Sequence, residues 1–336
     1  MSDRFDSLLR ILSVDTTTGV EHRGEAALRT LLPEHGWHLE EQPVSDDRKN
    51  LLWTTDEAPR VLLTTHYDTV PPYVPPRIED GVLHGRGACD AKGILWAMCQ
   101  AAEACRARGE HRVAVLAVVG EETHSDGAKA AVKALEGRWP DLRYVIDGEP
   151  TDNGFLRGAL GVLGLEIEAT GCGGHSAYPE RGPSAVHDLL HALEVLRSES
   201  WPVDETFGPT TLNVGLISGG DAVNVLARAA KAALMFRVSV PGSQVLARAE
   251  ELLGDLPVSW RQTTSSDPLR FWTPEDVPTE VARFGSDLPY LKALGAPIQI
   301  GPGSIHVAHT SHEQVVLTDL ERAAEIYADL TLRLAQ

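Results

Sequence analysis

The sequence predicts an α/β protein: a mostly parallel, doubly wound sheet interrupted by a ferredoxin-like α+β insertion. Three observations carry that prediction. Over residues 1–150, short apolar runs alternate with helical stretches, the pattern of strands covered on both faces. From 162 to 266 the order changes to β-α-β-β-α-β, the split βαβ arrangement. From 267 to 336 the βα pattern returns. A chain of 336 residues accommodates two such domains, at roughly 150 residues each. The expected division is therefore one larger domain built from 1–161 and 267–336, with 162–266 inserted into it.

Taken in order, residues 3–12 read as an amphipathic helix opened by Ser2 or Asp3, and 21–32 as a second. RVLLTT (60–65), RVAVLAVV (112–119) and YVI (144–146) read as strands, with helices over 91–108 and 125–135 between them. In the insertion, VLGLEIEAT (162–170) alternates as a strand and 184–197 is helical. Strands follow at 211–217 and 229–238, then a helix at 243–253 and a last strand at 258–263. After the Asp267-Pro268 turn signal come a helix near 287–294 and the strand APIQI (296–300). A glycine-rich loop and a final helix from 317 complete the chain.

Composition narrows the function classes. Lys and Arg number 30 against 48 Asp and Glu, a net charge of −18. Such a chain has no general attraction for phosphate backbones, so nucleic acid is not expected as a partner, nor is an anionic membrane surface. No apolar run approaches the roughly 18 residues of a spanning helix. The N-terminal segment carries acids where a secretion signal needs bases and has no unbroken apolar core, so a cytoplasmic location is expected. Cys89, Cys99, Cys105 and Cys172 form no CxxC pair and read as reduced thiols.

The chemistry collects at strand ends. RVLLTT runs into His66-Tyr67-Asp68, RVAVLAVVG into Glu121-Glu122, and YVIDG into Glu149. APIQI runs into GPGSIHVAH, which carries His306 and His309, and Asp90 sits in GRGACDAKG just before a helix. In an open α/β sheet these positions share one rim. Each has an ordinary reading alone: Asp90 as a helix cap, the glutamate pair at a helix start, Glu149 in a turn beside Pro150. Together they are a density of carboxylates that needs a cation, because such groups repel when uncompensated. Imidazole and carboxylate donors without thiolate suit zinc, cobalt or manganese. If Asp90 bridges, the set divides into two sites, each completed by one histidine and one further carboxylate. One glutamate of the 121–122 pair is then spare to accept a proton from water. Asp68 can hold the second nitrogen of His66. His306, His309 and His312 recur at intervals of three in a loop, and one of them is expected to ligate.

The motifs HYDTVPP, GRGACDAKG, GEETHSDGA, DGEPTDN, GHSAYPERG and GPGSIHVAHT occur in that order. They resemble those of the zinc-dependent amidohydrolase and exopeptidase family that includes acetylornithine deacetylase, succinyl-diaminopimelate desuccinylase, aminoacylase and carboxypeptidase G-type enzymes. The resemblance implies a zinc-peptidase-like catalytic domain with an inserted dimerisation, or lid, domain. It implies two divalent metal ions, Zn2+ first and Co2+ or Mn2+ as substitutes. His66 and Glu149 would hold one ion, Glu122 and His309 the other, with Asp90 bridging. Glu121 would be the general base and Asp68 the residue that orients His66. In the lid it implies that His175 steadies the oxyanion across a homodimer, and that Asn224, Arg237 and the backbone around Gly303 bind a substrate carboxylate. One departure stands out: the family usually places an acidic pair after the last histidine, whereas Ser311-His312-Glu313 offers one acid.

The expected activity is hydrolysis of the amide bond of a small-molecule N-acyl amino acid, by deacetylation or desuccinylation. N-acetylornithine, N-acetyllysine and N-acetylcitrulline are the first substrates to try. The alternative is a dipeptidase or carboxypeptidase-type exopeptidase using the same metal chemistry.

Overall fold

A computed structural model describes residues 3–336, which fall into two compact units. The first comprises the chain up to Arg157, Phe271–Glu280 and Ser286–Gln336; the second comprises Gly158–Arg270 and Val281–Gly285. The second unit thus takes in a few residues on either side of 162–266 and a short return segment that periodicity gives no sign of.

In the first unit, a short 3-10 turn (Asp3–Phe5) precedes α1 (Asp6–Leu12). The expected second helix is shorter than read: Glu21–Gly24 is 3-10 and only Glu25–Leu28 is α-helical. There follow β1 (His38–Ser45), β2 (Arg48–Thr54) and β3 (Val61–His66), then α2 (Lys92–Ala107) and β4 (Val113–Val118). Next come α3 (Asp126–Leu135), β5 (Tyr144–Asp147) and β6 (Phe155–Ala159). The second unit contains β7 (Gly161–Thr170), α4 (Ala185–Ser198), β8 (Thr211–Gly219) and β9 (Ala229–Val238). It closes with α5 (Gly242–Leu253) and β10 (Val258–Ser266). The chain re-enters the first unit, which ends with β11 (Ala296–Gln299) and α6 (Leu317–Leu334). The helix expected near 287–294 is the single turn Leu288–Leu291.

The sheet of the first unit runs β1-β2-β4-β3-β5-β11-β6. Its centre, β4-β3-β5-β11, is parallel, while β1, β2 and β6 join antiparallel. Every residue of β3 and β4 is buried, as strands covered on both faces must be. Leu63, Val113, Val115 and Ala117 pack into one apolar cluster with Leu8 of α1, Ile94, Leu95 and Met98 of α2, and Leu320 and Tyr327 of α6. The hairpin β1–β2 has no sequence forecast: its alternation is broken by Glu40, Glu41 and Pro43, and its turn at Asp46-Asp47 lacks glycine.

The second unit is a four-stranded antiparallel sheet, β8-β9-β7-β10, with α4 and α5 on one face. Alternation explains it directly. Ala230, Ala232, Leu234, Phe236 and Val238 of β9 face the helices with Leu163, Leu165 and Ile167 of β7, while the intervening side chains point away. Among the described residues no helix is long and apolar enough to cross a membrane, and all four cysteines are free.

Candidate metal centre

The register of the parallel strands brings the expected residues to one rim. His66 ends β3 opposite Val118, the last residue of β4, so Glu121 and Glu122 leave the sheet beside it. Thr64 lies opposite Asp147 of β5, and Glu149 follows two residues later. Gln299 of β11 pairs with the same Asp147, and the loop beyond carries His309. The turn into the glutamate pair needs glycine at position 120. Its φ is +74°, and a Cβ there would lie 1.9 Å from Asp126 Oδ1.

Asp90 is the hub. Its Oδ1 lies 3.0 Å from His66 Nε2 and its Oδ2 lies 3.2 Å from His309 Nε2. Glu122 Oε1 lies 3.0 Å from that same His309 nitrogen. His66, Asp90 and Glu122 each offer a ligand atom within 4.8 Å of the others. Both imidazoles therefore present Nε2, and one carboxylate stands between them. His66 is almost fully buried, whereas the His309 side chain is 50% exposed and its backbone is left-handed, with φ +63°. A non-glycine residue in that region is held there by its surroundings.

Glu149 and Glu121 complete the set electrostatically. Burial pushes the Glu149 carboxyl well above its usual range, and the charges of Glu121 and Asp90 push it further. Burial does the same to Glu121; the nearby His66 opposes it, and Asp287, Glu122 and Asp90 add to it. Burial would also raise Asp90, but its contacts with His309 and His66 outweigh that and hold it well below the ordinary value. His309 rises to about 10, chiefly through Asp90 and then Glu122. The carboxylates gathered at this rim outnumber the imidazoles, and positive charge is what would offset them. That is the charge a divalent ion would supply, and the nitrogen and oxygen donor set fits such ions. Cys89 adjoins Asp90, yet burial first and then the Glu313 and Asp90 charges keep its thiol protonated.

Asp68 acts somewhat differently from the expectation. The closest partner of His66 Nδ1 is the backbone carbonyl of Asp68 at 2.9 Å, while the Asp68 carboxylate stands 3.4 Å away. That carboxylate instead accepts the backbone N–H groups of Glu121 at 3.2 Å and Glu122 at 3.3 Å. It positions the glutamate pair as much as the imidazole.

The lone acid after His309 also has a definite place. Glu313 Oε1 accepts the N–H groups of Gly87, Cys89 and Asp90 at 2.8, 3.2 and 3.2 Å. Its Oε2 pairs with the fully buried Arg86 at 2.5 Å. The Arg86–Glu313 pair therefore holds the loop that presents Asp90. No spacing in the sequence marks it, because its members stand over two hundred residues apart (|i−j| = 227). Nothing in the sequence marks two further buried acids, Asp147 and Asp287. Burial pushes Asp147 up to about 8 and Asp287 up to about 7.

His306 and His312 are exposed and take no part in these contacts. Gly303 is buried with φ +79°, and a Cβ there would lie 2.5 Å from the Cβ of Cys89. In the second unit, His175 Nδ1 accepts the N–H of Ala177 at 3.1 Å, which puts the proton of the neutral ring on Nε2. Asn224 adjoins it: its carbonyl accepts the N–H of Ser176 at 3.0 Å. Arg237 lies on β9, opposite Thr211 and Val162.

The model of peptidase family M20/M25/M40 matches residues 62–256. A probable carboxypeptidase from Aspergillus terreus is 33% identical over 95% of this chain and 84% of its own length. The solved structure of aminopeptidase PepT from Bacillus cereus superposes with a TM-score of 0.82 at 19% identity, covering 98% of both chains. That of a dinuclear metal-binding M20 peptidase from Bacillus subtilis gives 0.71 at 12% identity over 99% of this chain and 98% of that one. At such identities the superpositions speak for the fold alone. The family match and the fungal relative settle membership: this chain belongs to the M20 family of metal-dependent hydrolases.

Proposed function

We propose that the chain is an exopeptidase of carboxypeptidase type that hydrolyses the last amide bond of a short peptide. The observation that carries the hydrolytic reading is the Asp90 carboxylate held between two imidazole Nε2 atoms. The choice of a carboxypeptidase rests on the relative of that printed name, which matches nearly the whole chain.

His66 and Glu149 would hold one ion, Glu122 and His309 the other, and Asp90 both. When bound, two divalent ions supply positive charge that lowers the pKa of water toward neutrality and polarises the scissile carbonyl. Glu121 takes the proton as the water oxygen adds to the carbonyl carbon. It returns that proton to the amine nitrogen as the C–N bond breaks. His175, with its proton on Nε2, is equipped to donate to the developing oxyanion. Arg237 and Asn224 are the proposed partners of the substrate's terminal carboxylate, because a guanidinium grips a carboxylate with two parallel hydrogen bonds. Gly303 contributes backbone to the same end. A homodimer through the second unit is part of this reading. It is supported by the open edge of β8, where Leu216 is 73% and Ile217 57% exposed.

An N-acyl amino acid is the shortest substrate of the same design, with a simple acyl group in place of the peptide. Deacetylase and carboxypeptidase therefore differ only on the acyl side. The test is a panel for the enzyme loaded with Zn2+ or Co2+: N-blocked dipeptides, their C-terminal amides, free dipeptides, and N-acetyl or N-succinyl ornithine, lysine and citrulline. Release of the last residue from blocked dipeptides, abolished by amidation, is the expected result. Turnover confined to acetylated or succinylated amino acids would replace the carboxypeptidase reading with the deacylase one.

A further inference from the structure

Thr18 belongs to neither the ligand set nor the acid–base machinery. Yet its hydroxyl donates to Asp68 Oδ2 at 2.8 Å, the shortest contact that carboxylate makes. Asp68 is fully buried. Among the described residues its Oδ2 otherwise receives the Glu122 N–H alone, at 3.3 Å, while Oδ1 receives the Glu121 N–H at 3.2 Å and faces His66 Nδ1 at 3.4 Å. One carboxylate thus fixes the backbone of both glutamates and borders one imidazole, and Thr18 fixes the carboxylate.

The threonine is itself anchored. Its N–H donates to the carbonyl of Thr69, and the Thr69 N–H donates to that of Thr16, both at 3.1 Å. This parallel bridge ties the N-terminal turn to the residue beside Asp68. Asp15 Oδ1 accepts the N–H and the hydroxyl of Thr17 at 3.0 and 2.7 Å, and Gly19 N–H donates to the buried Glu21 at 2.6 Å.

We infer that Thr18 is a positioning residue of the metal centre, acting through Asp68 on Glu121, Glu122 and His66. The inference rests on reading this site as a hydrolytic metal centre. Valine matches threonine in shape but cannot donate. In Thr18→Val the buried Asp68 oxygen would keep one long hydrogen bond, and the carboxylate would turn toward other donors. Both glutamate N–H groups would lose their fixed acceptor. Serine keeps the donor.

The experiment measures Co2+ binding to the metal-free chain by equilibrium dialysis, together with kcat, KM and Tm. It compares the wild type with Thr18→Val, Thr18→Ser and, should valine not fold, Thr18→Ala. Thr18→Val is expected to weaken Co2+ binding about 10-fold and lower kcat about 10-fold at unchanged KM, within the range for groups that orient ligands. Thr18→Ser stays within about 2-fold of wild type, since it keeps the hydroxyl. A purely structural role would lower Tm and leave Co2+ affinity and kcat alone, and that result overturns the inference. So does a serine variant as impaired as valine. Co2+ binding needs no substrate, so weakened binding in Thr18→Val without peptide cleavage by any form would sink the peptidase reading and sustain the role of Thr18. Failure of the wild type to bind Co2+ overturns both.

Discussion

Glu121 and Glu122 are neighbours with different tasks. Glu122 Oε1 touches His309, while Glu121 is surrounded by burial and by like charges that raise its proton affinity. Replacing Glu121 by Gln keeps the shape and removes the proton acceptor. Turnover should fall by about 10²- to 10⁴-fold while metal content, measured by emission spectrometry, stays at the wild-type level. Asp287 provides a separate test of burial. The residue is 1% exposed, and burial raises its carboxyl to about 7 from the ordinary 3.8. A carboxyl raised in the folded state stabilises the fold below its unfolded value, and that contribution is lost as pH climbs through the folded value. The metal-free wild type should therefore lose stability between about pH 4 and 7 through this group. Asp287→Asn should remove up to about 4 kcal/mol of that fall, read as a smaller drop in Tm. An unchanged pH slope would show that Asp287 is solvated.

Among the elements, the helix after the glutamate pair is held at its start by a group far away in the sequence. Arg48 on β2 donates to Glu21, whose side chain is wholly buried, at 2.8 Å and to Asp126 at the start of α3 at 2.5 Å. Arg48→Met strands a buried carboxylate and frees the start of α3. The expected loss is about 3–5 kcal/mol by urea unfolding, larger than for an exposed ion pair. A loss within about 1 kcal/mol would mean that solvent reaches Glu21. Legibility in the sequence follows the same division. β3, β4, α2 and the alternating strands of the second unit announce themselves because burial alone dictates their composition. His66, Glu121, Glu122, Glu149 and His309 are visible because each follows such an apolar run. Arg86–Glu313, Thr18, Asp147 and Asp287 are not, since their roles depend on tertiary neighbours that no local pattern encodes. The hairpin β1–β2 escapes for a related reason: its core-facing residues are set by the β4 edge it joins.

For the molecule as a whole, two properties follow. The second unit exposes Leu216 and Ile217 on the unpaired edge of β8, and Leu190, at 51%, on α4. Apolar side chains on an open strand are suited to a partner, and the homodimer proposed above would cover them. Sedimentation equilibrium should give a dimer for the wild type and a monomer for Leu216→Asp. A monomeric wild type at micromolar concentration would rule out the homodimer.

The other property is the joint use of Asp90 by two imidazoles, which depends on the whole parallel sheet delivering its loops to one rim. Metal stoichiometry tests it most directly, by titrating the chelator-treated chain with Co2+ and counting bound ions. Two are expected per wild-type chain, one in His66→Ala, one in His309→Ala and none held tightly in Asp90→Ala. A single ion in the wild type, or two retained without Asp90, would contradict it.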